Sequence, residues 1–292
     1  MKKITECPIC GNAVFDLFLT CTDFTTSNEQ FTLQRCRQCT FVLTNPRPDD
    51  SDLEKYYESE KYISHTGKSY ALFDSAYLIV RRFTLRWKTR MVAQYQPSSV
   101  LDYGCGTGEF LEACQAMGWD CVGVEPSNKA KSRADQHAKL TIATTLAELN
   151  GKKFDVITLW HVLEHIADLP QKMTELRNSL NENGILFVAV PNHTAYDAEV
   201  YREYWAAYDV PRHLWHFSRT TMPRLLAKSN FTVREIKPMK LDAFYVSLLS
   251  QKFKSGWHSP VGVLKAITTA LTSNRKAKTS LNYSSLIYIA TR

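Results

Sequence analysis

Four of the eight cysteines in this 292-residue chain form two Cys-x-x-Cys pairs, Cys7/Cys10 and Cys36/Cys39, with 25 residues between the pairs. Each pair can offer two thiolates from one tight turn. Two such knuckles supply the four soft ligands that Zn²⁺ takes in a tetrahedron, and a site closed by four protein ligands is structural. A redox pair, or a ribbon that has lost its metal, would use the same spacing. Cys21 lies between the knuckles and reads as a buried spare.

A second constellation is Leu101-Asp102-Tyr103-Gly104-Cys105-Gly106-Thr107-Gly108. Glycines let a backbone approach a ligand closely, and a following helix presents N–H groups to it. Glu125 closes the run Val122-Gly123-Val124-Glu125, where a carboxylate can take both hydroxyls of a ribose. A dinucleotide fingerprint, G-x-G-x-x-G, would cradle a pyrophosphate. Here the third glycine comes one residue early and Asp102 precedes the first. An acid at that place repels a pyrophosphate and suits a cationic ligand carrying an amino group. A purely structural glycine turn is the remaining alternative.

Two histidine-bearing stretches lie downstream. His161, Glu164 and His165 are spaced to share one face of a helical turn. They could bind a divalent metal that positions a substrate oxygen. The favoured alternative packs His161 under the bound cofactor with Glu164 and His165 hydrogen-bonding behind it, because a complete metal site would want another carboxylate. The run Pro211-Arg212-His213-Leu214-Trp215-His216-Phe217-Ser218 offers His213 and His216 as general bases and Arg212 as a clamp for a phosphate or carboxylate. Both histidines could instead cap the next helix and fix a lid.

These groups need elements to hold them. The first 48 residues are β-rich (13–20 and 30–33) and end at Asn45-Pro46-Arg47-Pro48, which reads as a linker. A short helix capped by Asp49–Asp52 should run to Tyr57, and residues 69–95 should be largely helical. From Ser99 the pattern alternates. Strands are expected at 100–103, 121–124, 140–143, 154–160, 185–190, 231–236 and 286–291. Helices are expected at 109–117, 129–137, 169–180 and 220–229, with Asn183-Gly184 as a turn. Such βα repetition predicts a parallel sheet with helices on both faces. Residues 237–285 interrupt the last two strands. They mix apolar Phe244–Leu249, an amphipathic stretch Val261–Leu271 and the basic run Arg275-Lys276-Ala277-Lys278, as a substrate cap, an interface or a membrane-surface element would.

The D-x-G-x-G-x-G loop followed by an acid at the end of the second strand resembles the class I S-adenosylmethionine-dependent methyltransferases. The resemblance implies a Rossmann-like seven-stranded sheet over residues 98–292. A zinc-ribbon-like domain would occupy 1–48, and 49–97 would be a linker with helices covering the cofactor. It places Asp102 and Gly104–Gly108 (with Cys105, Gly106 and Thr107) against the methionine portion and Glu125 on the ribose. Pro126-Ser127 would flank the adenine, Thr145–Leu149 would edge it, and Tyr70 would lie over the cofactor. The run His161–His165 is similar to the ubiquinone-biosynthesis branch. The segment 211–218 resembles bacterial methyltransferases that carry an N-terminal zinc-ribbon-like segment and are linked to sugar, polysaccharide or lipid modification. No Asn/Asp-Pro-Pro-aromatic motif follows Trp160 and no cysteine follows Cys121, which disfavours amino-methylating nucleic-acid enzymes and cytosine-C5 enzymes. The expected activity is O- or C-methylation of a small-molecule, sugar or lipid-linked acceptor. The alternatives are an RNA methyltransferase and a non-catalytic cofactor-binding module.

Composition fits these expectations. With 44% hydrophobic and 22% charged residues the chain is an ordinary globular one. No apolar run approaches the ~18 residues of a membrane span and no secretory signal opens it, so a cytoplasmic monomer or homodimer is expected. The net charge of +7 is concentrated at the end: residues 237–292 carry nine Lys/Arg and one acid, Asp242. That segment suits an anionic partner, such as a phosphorylated acceptor, RNA or lipid headgroups, or is simply a solvated edge.

Overall fold

The computed structural model describes residues 1–57, 83–126, 140–256 and 260–292. The ribbon contributes β1 (Phe15–Thr22), β2 (Gln30–Cys36) and β3 (Val42–Thr44). Only a 3₁₀ turn at Glu54–Tyr56 stands where a short helix is predicted. Helix α1 is described over 83–93. Next come β4 (Ser99–Tyr103), α2 (Glu109–Gln115), β5 (Asp120–Val124), β6 (Thr141–Ala143) and β7 (Phe154–Trp160). They are followed by α3 (Leu169–Asn178), β8 (Leu180–Pro191), α4 (Tyr196–Tyr201) and β9 (Trp215–His216). The chain ends with α5 (Thr221–Lys228), β10 (Thr232–Pro238), α6 (Asp242–Ser255), α7 (Pro260–Ser280) and β11 (Ser285–Thr291). The predicted helix 129–137, Ser127, Tyr70 and the first part of 69–95 lie outside the described residues.

Seven strands form one sheet in the order β10-β11-β8-β7-β4-β5-β6. Its five strands from β8 to β6 are parallel, and β11 runs antiparallel to both of its neighbours. Strand alternation sends side chains to two apolar layers. Leu101, Ile157 and Val188 pack with Leu169, Met173 and Leu176 of α3 and with Met222 and Leu225 of α5. Val100, Val156 and Phe187 pack with Met91 and Val92 of α1 and Leu111 of α2. Asp102, one residue on from Leu101, therefore belongs to the α1 face.

Two expected boundaries are corrected. Helix α3 stops at Asn178, and β8 begins at Leu180 rather than at 185. Leu180 pairs with Phe154 and Ile185 with Val156, so Asn181–Gly184 bulges from the strand instead of turning into it. A Cβ on Gly184 would lie 2.5 Å from the Leu180 side chain, and glycine keeps the bulge closed. The segment 237–285 is a helical hairpin, α6–α7. Buried Asp197 of α4 anchors it, accepting from Ser273, Ser284 and Trp205, each at 2.7 Å.

The ribbon is not a separate bead. Its sheet has the order β1-β2-β3-β9, and its fourth strand comes from the Pro211–Ser218 run. Val42 pairs with His216 and Leu43 with Trp215. Cys7, Cys36, Phe41 and Leu43 share one apolar layer with Trp215, Phe217 and Leu225. The expected linker at 45–48 is built in: Asn45 bonds Ile4 in both directions (2.8 and 3.0 Å), and Arg47 is buried over the Trp215 ring.

Candidate active site

In open α/β sheets ligands bind beyond the carboxyl ends of the strands, where the strand order reverses. Here that place lies between β4 and β7, and both predicted clusters sit there. The glycine loop follows β4 and is stapled to β5, since Gly104 N–H donates to the Val124 carbonyl at 2.7 Å. Gly104, Gly106 and Gly108 all have positive φ (74°, 54° and 80°), which only glycine adopts without strain. Gly106 N–H donates to the Glu125 carboxylate at 2.9 Å, so the two predicted cofactor motifs touch. A Cβ on Gly104 would lie 2.5 Å from Val162, locking this loop to the one after β7. Cys105 points inward. Its Sγ fills the place where a Cβ on Gly123 would stand, so only its backbone can face a ligand. Pro126 is exposed beyond Glu125.

Asp102 is buried, and its Oδ1 accepts the Thr158 hydroxyl at 2.6 Å. Burial pushes its carboxyl up to about 7, against the lowering pull of that hydrogen bond and of Lys88. Lys88, from α1, holds its ammonium 4.3 Å from the Trp160 ring centroid. Burial lowers its pKa, opposed by the charges of Asp242 and Asp102.

The loop after β7 carries a tighter cluster. His161 takes a left-handed backbone, φ 58°, unusual for a non-glycine residue. Its ring bridges two acids, with Nε2 3.0 Å from Asp242 and Nδ1 3.5 Å from Glu164. Burial works against its charge, but the two carboxylates win and raise it to about 9. Glu164 is completely buried, and neither of its carboxylate oxygens has a hydrogen-bond partner. Despite burial, the surrounding histidines, His161 first, hold its pKa below the usual range. His165 is pushed down to about 4 by burial and by His213. Its Nδ1 lies 3.1 Å from the Arg212 carbonyl. That oxygen only accepts, so Nδ1 carries the proton and Nε2 the lone pair. His213 is fixed likewise, with Nδ1 2.9 Å from the Ala207 carbonyl. The His165 and His213 rings meet edge to face at 4.5 Å. Glu164, His165 and His213 each bring one ligand atom within 4.8 Å of the others.

The other two residues of the predicted catalytic set serve elsewhere. Arg212 is not an open anion clamp. Its guanidinium is 1% exposed and is spent on Asp209 (2.6 Å) and on Asp23 of the ribbon (2.8 Å), with the Tyr56 carbonyl at 3.1 Å. His216 is not placed as a base. Thr44 donates its hydroxyl to the His213 carbonyl at 2.7 Å, so His216 Nε2, 3.0 Å away, must donate to Thr44. Burial drives its pKa well below the ordinary value. Both residues sit in the seam between the ribbon and the methyltransferase fold, Arg212 three residues before β9 and His216 as its last residue.

The sequence did not single out Asp242, Lys88, Thr158, Trp160 or Asp209. A signal existed for two of them. Asp242 is the one acid in a strongly basic segment, and Asp209 stands three residues before Arg212, a helical-turn spacing.

The four cysteines converge as the spacing predicts. Their Sγ atoms lie within 4.8 Å of one another, with Cys7–Cys39 and Cys10–Cys36 both at 3.5 Å. A tetrahedron with Zn–S bonds of ~2.3 Å has edges of about 3.8 Å. Gly11 and Thr40 take positive φ behind the two knuckles, and each donates its N–H to the carbonyl of the knuckle's first cysteine, Cys7 or Cys36 (2.8 and 3.0 Å).

The sheet order, the glycine loop and the acid after β5 define a Rossmann-like methyltransferase fold. The chain matches the methyltransferase-domain family over residues 78–236, more than half its length, and belongs to that family. It is 38% identical to a ubiquinone biosynthesis O-methyltransferase of Rhizobium etli (strain CIAT 652) over 104 residues, covering 32% of this chain and 42% of that one. A ubiquinone biosynthesis O-methyltransferase of Sinorhizobium medicae (strain WSM419) is 36% identical over a stretch of the same length and shares. The match thus spans less than half the length of these curated relatives. Among solved structures, the plantazolicin methyltransferase BpumL in complex with SAH shares the fold, with a TM-score of 0.51. It is 17% identical, with 82% of this chain and 93% of that one covered.

Proposed function

We propose that the chain transfers a methyl group from S-adenosylmethionine to a hydroxyl of a small-molecule, sugar or lipid-linked acceptor, and that Cys7, Cys10, Cys36 and Cys39 hold one structural zinc ion. The observation that carries the acceptor chemistry is Glu164, a fully buried carboxylate held ionised by His161 at 3.5 Å, beside the Nε2 atoms of His165 and His213, whose Nδ1 atoms are taken up by backbone carbonyls. The relatives named above are O-methyltransferases, which supports oxygen as the target.

The cofactor's chemistry fits the residues present. This site already attracts a cation, because the Lys88 ammonium sits over Trp160 in the field of Asp102. Asp102 would hold the amino group, the open Gly106 turn would admit the backbone-facing part, and Glu125 would take the ribose hydroxyls. S-adenosylmethionine supplies an electrophilic methyl on a sulfonium, and positioning provides much of the rate. His213 Nε2 accepts the hydroxyl proton of the acceptor. Glu164 stabilises the imidazolium so formed, and the Ala207 carbonyl keeps the ring in the right tautomer.

Turnover of His213→Gln should fall about a hundredfold or more, the usual contribution of a positioned base, while calorimetric affinity for S-adenosylmethionine and S-adenosylhomocysteine holds. His216→Gln should keep the pH profile of the parent. A His213→Gln enzyme with parental turnover would remove His213 from the chemistry. Glu164, His165 and His213 also make a set that could hold a divalent cation. A zinc-loaded enzyme freed of other ions and then given Mg²⁺ or Mn²⁺ separates the two. Unchanged turnover leaves His213 as base, and strict dependence makes it a ligand.

A further inference from the structure

We propose that the α6–α7 hairpin seats the protein on an anionic phospholipid surface through the outer face of α7. Nothing in the methyl-transfer chemistry is needed for this, and it stands or falls apart from that proposal.

Helix α7 is built inside out for a globular protein. The line it buries against the fold is Gly262, Ala266, Ala270, Ser273 and Ala277. Its large apolar side chains point the other way. Val261, Leu264 and Leu271 are 59%, 61% and 54% exposed, and Ile267 is 38% exposed. A solvated helix has no reason to place them so, because each exposed aliphatic side chain forgoes its transfer out of water. With 21 residues α7 is about 31 Å long. Yet Lys265, Arg275, Lys276 and Lys278 interrupt it, and among the described residues no helix is long and apolar enough to cross a membrane. The pattern is that of a helix lying in an interface.

Charge selects the occupant. Val261, Leu264, Leu271, Arg275 and Lys278 follow one another at spacings of three, seven, four and three, so they line one side of the helix. Lys265 flanks them one turn after Val261. Lys252 and Lys254 end α6, and the one acid of the whole segment, Asp242, is turned inward onto His161. A second copy of this chain would bring one basic face against another, since a two-fold contact pairs a patch with itself. Acidic headgroups over an acyl interior complement both features, each nearby Lys or Arg being worth about fivefold in partitioning.

The test is flotation of the full, zinc-loaded chain with vesicles. Phosphatidylcholine vesicles containing phosphatidylglycerol should carry the protein up. Phosphatidylcholine alone should carry at least tenfold less, and raising the salt to 1 M should release most of it. Leu264→Glu/Leu271→Glu should lose at least tenfold in partitioning. Lys265→Gln/Arg275→Gln/Lys278→Gln should lose about a hundredfold, with far-UV dichroism and melting unchanged in both. No flotation of the parent overturns the proposal. So does equal flotation on neutral and anionic vesicles, or parental binding by both folded variants. A dimer in solution that Leu264→Glu/Leu271→Glu converts to monomer, without any vesicle binding, assigns the face to self-association instead.

Discussion

Asp102→Asn should give a chain that no longer binds S-adenosylmethionine and yet melts higher than the parent at pH 8. The two effects have one cause. Burial raises the folded-state pKa of Asp102 to about 7, whereas an unfolded aspartate titrates near 4. Between these values the folded chain holds a proton that the unfolded chain has released, so folding stability falls as pH rises from about 4 to about 7. Above pH 7 the full cost of a buried carboxylate is present, on the order of 2–4 kcal/mol for a shift of this size. Asparagine removes it and can still accept the Thr158 hydroxyl. The gain should therefore be largest at pH 8 and vanish near pH 4. Binding moves the opposite way, because the amino group of the cofactor would need the ionised form. Parental affinity should weaken below about pH 7, and the variant should not bind at any pH. A variant that binds normally would show that the carboxylate is not used by the cofactor, and one that melts lower than the parent at pH 8 would show that its burial carries no cost.

This trade explains why the glycine loop was the most legible part of the sequence. A run holding an acid and three glycines costs stability in any ordinary strand-to-helix turn, and only a ligand offsets that. Asp102 and Glu125 were legible for the same reason, and the structure joins them through Gly106. The βα alternation was legible because the central strands are nearly uniform in burial, as in Val156–Leu159. What the sequence hid depends on distance along the chain. Strand β9 has two residues and earns its place in the sheet only by pairing with β3, some 170 positions earlier. Arg212 carries a charge that two acids neutralise, and one of them, Asp23, is 189 residues away. The types of Arg212 and His216 suggested chemistry, but their partners made them structural. His213 lies between them in the same run and kept its acceptor nitrogen because its bond to Ala207 uses the other one. Asp242 shows the converse, a plain helix-start acid that gains its role by meeting His161 across the sheet end.

The seam ties the ribbon to the segment that carries the proposed base, and zinc removal should test that dependence. No cysteine of the ribbon belongs to the Glu164 cluster, yet Thr44 bonds the His213 carbonyl and the Leu214 carbonyl accepts from Thr44 N–H at 3.0 Å. Strand β3 is thus the support on which the His213 segment lies. Small zinc-bound segments draw their folding free energy largely from the metal, about 10 kcal/mol or more. A chain stripped of zinc, or Cys36→Ser, should lose the ribbon, expose the Trp215 ring to quenchers and drop turnover at least a hundredfold. Affinity for S-adenosylhomocysteine should fall far less, because the glycine loop is supported from β5 instead. Arg212→Met supplies the complementary measurement. It leaves Asp23 buried, and Asp209 half-buried, without their cation, a loss of about 3–5 kcal/mol, while the zinc content should stay at one per chain. If stripped protein turns over at the parental rate, the ribbon is a passenger and the base is held by the Ala207 carbonyl alone. If Arg212→Met loses zinc as well, the latch and the metal are one cooperative unit, and the ribbon folds only when docked.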